Sequence, residues 1–253
     1  MSLISIDTIK SFNELNKQLW KYCWKYWYAK EYAHFGIKEY LNNEIAKIKN
    51  EKKDLSILDI GCGSAWAAKY FSNFYAEYVG IDFNEELIKQ LKKDFADDSK
   101  CFFYLHDIES KEPLSFKRHN YNLILANFIL LELSDLKTFF ENAASVQSKG
   151  DYLIITGLDP VNEILRVSNS QNELEENLNA YRHSNSPLVL TKEISFNGEA
   201  TDFKYLRVLY SIKDILNTAF LNSYELVDLD DKLNLHADSP KSPLYFALKL
   251  KRR

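Results

Sequence analysis

Three things are missing from this chain of 253 residues: an excess of positive charge, a long apolar run and a set of paired cysteines. Each absence removes a class of function. Lysine and arginine number 32 against 36 acidic residues, a formal net charge of −4. A surface that follows a phosphate backbone needs a concentrated positive field, so nucleic acid is not an expected partner. The terminal "KLKRR" is basic but short, and such tails more often solubilise than bind. Cys23, Cys62 and Cys101 are odd in number and widely spaced, with no Cys-x-x-Cys and no nearby histidine cluster. That excludes a zinc site or a disulfide framework and fits free thiols in a reducing compartment. No stretch approaches membrane-spanning length, and "MSLISIDTIK" carries no charged flank leading into an apolar signal core. The expectation is a cytoplasmic protein with no membrane partner. No acidic set for a divalent ion stands out, so no metal is assigned.

What is present is apolar and aromatic. Hydrophobic residues make up 46%, enough for one substantial core, and 16 Tyr, 16 Phe and 4 Trp exceed what a core alone demands. Residues 6–49 have helical periodicity, with Trp20, Trp24 and Trp27 spaced by four and three and Gly36 as punctuation, and read as two helices. Residues 1–50 are therefore expected to form a helical cap on a domain of residues 51–253. From residue 51 onward short apolar strands alternate with helices. "LSILDI", "EYVGID", "CFFYL", "YNLILAN" and "DYLIIT" are the strands. "AWAAKYFSNF", "EELIKQLKKDF" and "SDLKTFFENAASVQ" are the helices, the second started by Asp82 or Asn84 and the third by Ser134. This rhythm predicts an α/β fold of parallel βαβ units with helices on both faces. Its ligand should lie beyond the carboxyl ends of the strands, where their order reverses. The last third differs. "NELEENLNAYRH" predicts a helix, Asn197-Gly198 a hairpin turn, Ser211 with Asp214 a capped helix, and "YELVDL" with "PLYFALKL" two closing strands.

The segment "LSILDIGCGSAW", residues 55–66, breaks a strand into two glycines beside a carboxylate. A dinucleotide fingerprint wants a third glycine three residues after Gly63, where the pyrophosphate meets the helix. That position is Trp66, which disfavours a nicotinamide- or flavin-dependent oxidoreductase. No Gly-Lys-Ser/Thr closes the loop, so it is not a phosphate loop of an NTPase.

"LDIGCGSAW" resembles motif I of the class I S-adenosylmethionine-dependent methyltransferases, apolar-acidic-x-Gly-x-Gly-x-Gly, and the resemblance extends over residues 55–156 and the closing strands. It implies a Rossmann-like, doubly wound, seven-stranded sheet with its last strand antiparallel, and S-adenosylmethionine as cofactor with S-adenosylhomocysteine as product. By the same resemblance Asp59 orders the loop and the methionine ammonium, and Gly61, Cys62 and Gly63 bring the backbone close. Asp82, followed by Phe83, takes the ribose hydroxyls, a task suited to an acceptor-only group. Asp107 takes the adenine amine and the Ile108 N–H a ring nitrogen. Asn127 and Phe128 border the reacting methyl. Ala65 stands where the family has its third glycine. Asp82 has a second reading, as a simple helix cap.

Methyl transfer from a sulfonium is an in-line displacement that needs alignment and exclusion of water rather than a protein nucleophile. A base is needed only where the accepting atom carries a proton. His34, His183 and Glu132 are the candidates for it. The Asn/Asp-Pro-Pro-aromatic motif of many base and amide methyltransferases is absent, since Asn127 opens "NFIL". A small-molecule acceptor is therefore expected, its accepting atom being oxygen, nitrogen or carbon. Tyr26, Trp27 and Tyr32 either wall the cavity, where they would attract the sulfonium, or form a packing stripe. Residues 160–210, inserted after the fifth strand, are expected to form a substrate lid. A non-catalytic protein that keeps the fold as a scaffold is the alternative.

Overall fold

A computed structural model describes residues 17, 19–21, 35–112, 114, 120–183, 187–196, 199–233 and 244–253, with backbone only at Phe35, His183 and 191–206. Seven strands form one sheet in the order β3-β2-β1-β4-β5-β9-β8. They are β1 (Ser56–Ile60), β2 (Glu77–Asp82), β3 (Cys101–Leu105), β4 (Leu123–Asn127), β5 (Tyr152–Leu158), β8 (Tyr224–Leu233) and β9 (Tyr245–Arg252). Strands β1 to β5 are mutually parallel, and β9 runs antiparallel to both β5 and β8. The order reverses between β1 and β4, so a crevice opens beyond their carboxyl ends.

Alternation along each strand sorts side chains to two faces. Ile57, Leu123, Leu125, Tyr152 and Ile154 meet α1 (Phe35–Glu51), α2 (Trp66–Tyr70) and α3 (Glu85–Asp94) on one face. Leu58, Ile60, Ile124, Leu153 and Ile155 meet α4 (Leu136–Ser145) and α7 (Ile212–Leu221) on the other. Helix α1 is integral to the first face: Ile37, Leu41, Ile45 and Ile48 are wholly buried. A buried ion pair of 2.7 Å from Lys249 on β9 to Glu44 ties it to the sheet. Burial pushes the Glu44 carboxyl up, but hydrogen bonds from Lys249 and Lys47 outweigh it and hold the group below its ordinary range.

Two local expectations need correction. The helix expected over "AWAAKYFSNF" stops at Tyr70, because Phe71 turns into the core and the Tyr75 hydroxyl bonds the freed Ala68 carbonyl at 2.8 Å. Asp135, not Ser134, caps α4: its carboxylate accepts the Lys137 and Thr138 N–H groups, while Ser134 is engaged by Glu109. Asn84 caps α3 and Ser211 caps α7. Between β5 and α7 lie α5 (Pro160–Val167), α6 (Gln171–His183) and an antiparallel pair, β6 (Leu188–Phe196) with β7 (Glu199–Leu209). The turn residues Asn197 and Gly198 lie outside the described residues.

Candidate functional site

The turn from β1 to α2 is built from positive backbone angles. Gly61 has φ 67°, Gly63 φ 51° and Ala65 φ 51°. A Cβ at Gly61 would come within 2.8 Å of Ile129 Cδ1, and the φ of 67° is one that side chains rarely adopt, so glycine suits this position. Above Gly63 there is room: a Cβ would meet nothing nearer than the Gly61 oxygen at 4.0 Å. Ala65 takes the left-handed conformation that suits glycine and is fully buried. Two bonds stitch the loop to β2, the Cys62 N–H to the Ile81 carbonyl at 3.0 Å and the Gly63 N–H to Asp82 Oδ2 at 3.2 Å.

Asp59 and Asp82 stand at the ends of adjacent strands, both buried. Asp82 Oδ1 accepts the Asn84 N–H at 2.9 Å, so its two oxygens hold the glycine turn and the start of α3 together. Its carboxyl is pushed up to about 6 by burial, against the lowering effect of these N–H bonds. Asp59 has one donor, the Tyr78 hydroxyl at Oδ2. Burial, reinforced by the Asp82 charge, pushes Asp59 up to about 7. Its other oxygen, Oδ1, is buried with no hydrogen-bond partner.

The ends of β3 and β4 complete the rim. Asp107 accepts the Glu109 N–H at 3.0 Å and an ion pair from Lys17. Asn142 on α4 donates to the carbonyls of Ile108 at 2.6 Å and Ser110 at 3.0 Å, fixing this loop from below. At the end of β4, Asn127 Oδ1 accepts from the Thr156 hydroxyl at 3.0 Å, while its Nδ2 is buried and finds no partner. Phe128 is left-handed at φ 60°, its N–H bonded to the Thr156 carbonyl and its ring edge-on to Tyr245 at 5.5 Å. A non-glycine residue in that conformation is a store of strain of the kind found at binding sites.

Asp59 lies opposite Leu125 in the β1–β4 register, and Asn127 follows two residues later on the same face. An acceptor atom and a donor atom, both buried and unmatched, therefore sit on neighbouring strands next to an open glycine. Buried polar atoms are rarely left so. A zwitterionic amino acid would satisfy both, its ammonium at Asp59 and its carboxylate at Asn127. A diphosphate would bring its negative charges up against two buried acids, Asp59 and Asp82. The residues present thus fit S-adenosylmethionine better than a dinucleotide.

Lys17 and Trp20 reach this rim. Lys17 pairs with Asp107, the Trp20 carbonyl accepts from Asn84 Nδ2 at 3.0 Å, and the Trp20 indole donates to Glu132 Oε2 at 3.1 Å. Glu132 ends a 3₁₀ turn, Ile129–Glu132, just past β4. It is the one candidate base whose side chain is described. His34 lies outside the described residues, as do Tyr26, Trp27 and Tyr32, and His183 is described only as the last backbone position of α6. Several neighbours of the rim were not expected from sequence: Tyr78, Thr156, Asn142 and Lys17. Tyr78 has a signal in retrospect. It precedes Gly80 by two on β2, and Gly80 pairs with Asp59, so the phenol lies one strand pair behind the carboxylate on the same face.

A family model described as a methyltransferase domain matches residues 51–239. Among curated proteins, the polyketide synthase component of lovastatin nonaketide synthase from Aspergillus terreus is 27% identical over 122 residues, 46% of this chain. The chain spans only 4% of that relative's length. Among solved structures, an S-adenosylmethionine-dependent methyltransferase from Mesorhizobium loti superposes with a TM-score of 0.57 at 13% identity, covering 83% of this chain and 96% of that one. The N-methyltransferase NodS from Bradyrhizobium japonicum, in complex with S-adenosylhomocysteine, gives 0.52 at 10% identity over 85% and 86%. At such identities the structural likeness speaks for the fold, while the family match covers three quarters of the chain. The chain belongs to the methyltransferase-domain family.

Proposed function

We propose that the protein is an enzyme that transfers the methyl group of S-adenosylmethionine by in-line displacement to an oxygen, nitrogen or carbon atom of a small-molecule acceptor. The observation that carries the donor half is the unmatched pair Asp59 Oδ1 and Asn127 Nδ2 beside Gly63. When bound, the cofactor supplies an electrophilic methyl on a positively charged sulfur. In this reading Gly61, Cys62 and Gly63 line its methionine portion, Asp82 and Phe83 its ribose, Asp107 and Ile108 its adenine. Phe128 borders the transferring methyl.

The acceptor half rests on the covering segments. In this reading residues 1–50 are a cap whose last helix, α1, packs into the core of the domain of residues 51–253, and residues 160–210 are a lid. Strand β7 packs against the 3₁₀ turn that carries Glu132, which supports reading its hairpin as part of the lid. Trp20 bonds the Glu132 carboxylate, which orients it as one candidate base. His34 and His183 are the other candidates for that role. The net charge of −4 and the polyketide synthase relative favour a small molecule over nucleic acid.

Titration calorimetry with S-adenosylmethionine and S-adenosylhomocysteine tests the donor half; absence of saturable binding by both would remove it. Mass spectrometry of small molecules released by denaturing the purified protein tests the acceptor half. Methyl incorporation into nucleic acid or protein, with none into released small molecules, would overturn it.

A further inference from the structure

Asp59 is unusual among the buried acids of this protein in having neither a cation nor a backbone N–H. Glu44 has Lys249 and Lys47, Glu163 has Arg166 and Arg207, and Asp82 has two N–H groups. Among the described residues the groups that face Asp59 are acidic or neutral. From β2 these are Tyr78 and Asp82, from the loop Cys62, and behind Tyr78 the ring of Tyr75 at 5.4 Å. The Cys62 thiol is pushed up by burial and by both carboxylates, and the Tyr78 phenol by burial and by Asp59, so both are neutral at physiological pH. A lone carboxylate here would face the Asp82 charge with a single neutral donor. Such a group lowers its free energy by taking up a proton.

We propose that Tyr78 is a positioning residue that holds Asp59 for the methionine end of the cofactor, and that Asp59 gives up a proton to solvent as the cofactor's ammonium arrives. The proposal rests on the cofactor reading above and adds to it a direction of proton flow. Tyr78 pairs with Ile57, two residues before Asp59, and so reaches the carboxylate from deeper in the sheet. Its hydroxyl takes Oδ2, which leaves Oδ1 as the oxygen for the incoming cation. The balance is one carboxylic acid and one ammonium becoming a carboxylate–ammonium pair with one proton released. Because the Tyr78 bond favours the charged carboxylate, removing it makes the proton harder to lose.

The test uses S-adenosylhomocysteine, which carries the same ammonium, titrated calorimetrically in buffers of different ionisation enthalpy. For the wild type, affinity should rise about tenfold from pH 6 to pH 8, following the Asp59 group near 7, and proton release should fade above pH 8. Tyr78→Phe keeps the ring and should move that rise to higher pH, so its deficit is large at pH 7 and shrinks at pH 9. A pH-independent wild-type affinity with buffer-independent heat overturns the proposal, as does a Tyr78→Phe deficit equal at every pH. Infrared difference spectra of the wild type provide a readout that needs no variant to fold. A protonated carboxylic acid band should vanish on binding at pH 6, and binding without its loss overturns the proposal. Absence of binding at every pH overturns the cofactor reading itself.

Discussion

The Trp20 indole donates to Glu132 across 112 positions of sequence, which brings this residue to the end of β4. Its carbonyl holds Asn84 at the same time, so one residue bridges the ends of β2 and β4 above the glycine turn. If a bound ligand leaves past this strap, weakening the strap should speed release. Trp20→Phe keeps an aromatic ring but removes the donor, a bond to a charged acceptor worth about 1 kcal/mol or somewhat more. Dissociation of S-adenosylhomocysteine, followed by stopped-flow fluorescence, should accelerate roughly fivefold. An unchanged rate would show that exit does not pass the strap.

Ala65 gives a contrast with its neighbour Ala67. Both are fully buried, but Ala65 is left-handed at φ 51° and Ala67 is helical. Ala67→Gly should cost about 1 kcal/mol in helix propensity plus about 0.8 kcal/mol for the lost methyl. Ala65→Gly loses the same methyl but relieves about 1–2 kcal/mol of left-handed strain, so it should be close to neutral. Urea unfolding of the two variants decides the matter, and equal destabilisation would contradict the strained turn.

Asp82→Asn should act on both the turn and the ligand. Its two oxygens now accept the N–H groups of Gly63 and Asn84. An amide offers one oxygen and turns its NH₂ toward the other N–H. Affinity for S-adenosylmethionine should fall by about 1–3 kcal/mol, the scale of a lost charge-assisted bond, and the melting temperature should fall with it. Calorimetry and thermal unfolding measure the two separately. Retained affinity would remove Asp82 from the site.

The parallel sheet was readable because each inner strand is a short apolar run, and a strand buried on both faces must be one. The glycine turn and the carboxylates ending β1, β2 and β3 were readable because each closes such a run. The neighbours of those carboxylates were not. Tyr78 reaches Asp59 through the pairing of β2 with β1, and Thr156 reaches Asn127 through that of β5 with β4. A one-dimensional pattern does not contain that register. Ser134 was mistaken for a cap because Ser and Asp both suit the position, and only Glu109, from another loop, takes Ser134 out of competition.

Stability without ligand should decline as pH rises from 6.5 to 8. Burial raises Asp59 to about 7 and Asp82 to about 6, both above their unfolded value of 3.8. Between those limits the folded chain binds more protons than the unfolded one, so stability is lost with rising pH. Glu44 has the opposite sign: its lowered carboxyl adds stability above its unfolded value of 4.5 that is lost only in acid. His106, held below 6.5 by burial, also opposes the trend, but only under that pH. From 6.5 upward the slope therefore belongs mainly to Asp59, whose proton must leave a site with no cation to replace it. Thermal unfolding of the wild type should give a lower midpoint at pH 8 than at pH 6.5, and Asp59→Asn should flatten the difference. Saturating S-adenosylhomocysteine should flatten it too, because an ammonium beside Asp59 stabilises the carboxylate that the empty crevice disfavours. A slope that survives both changes would assign the proton to another group.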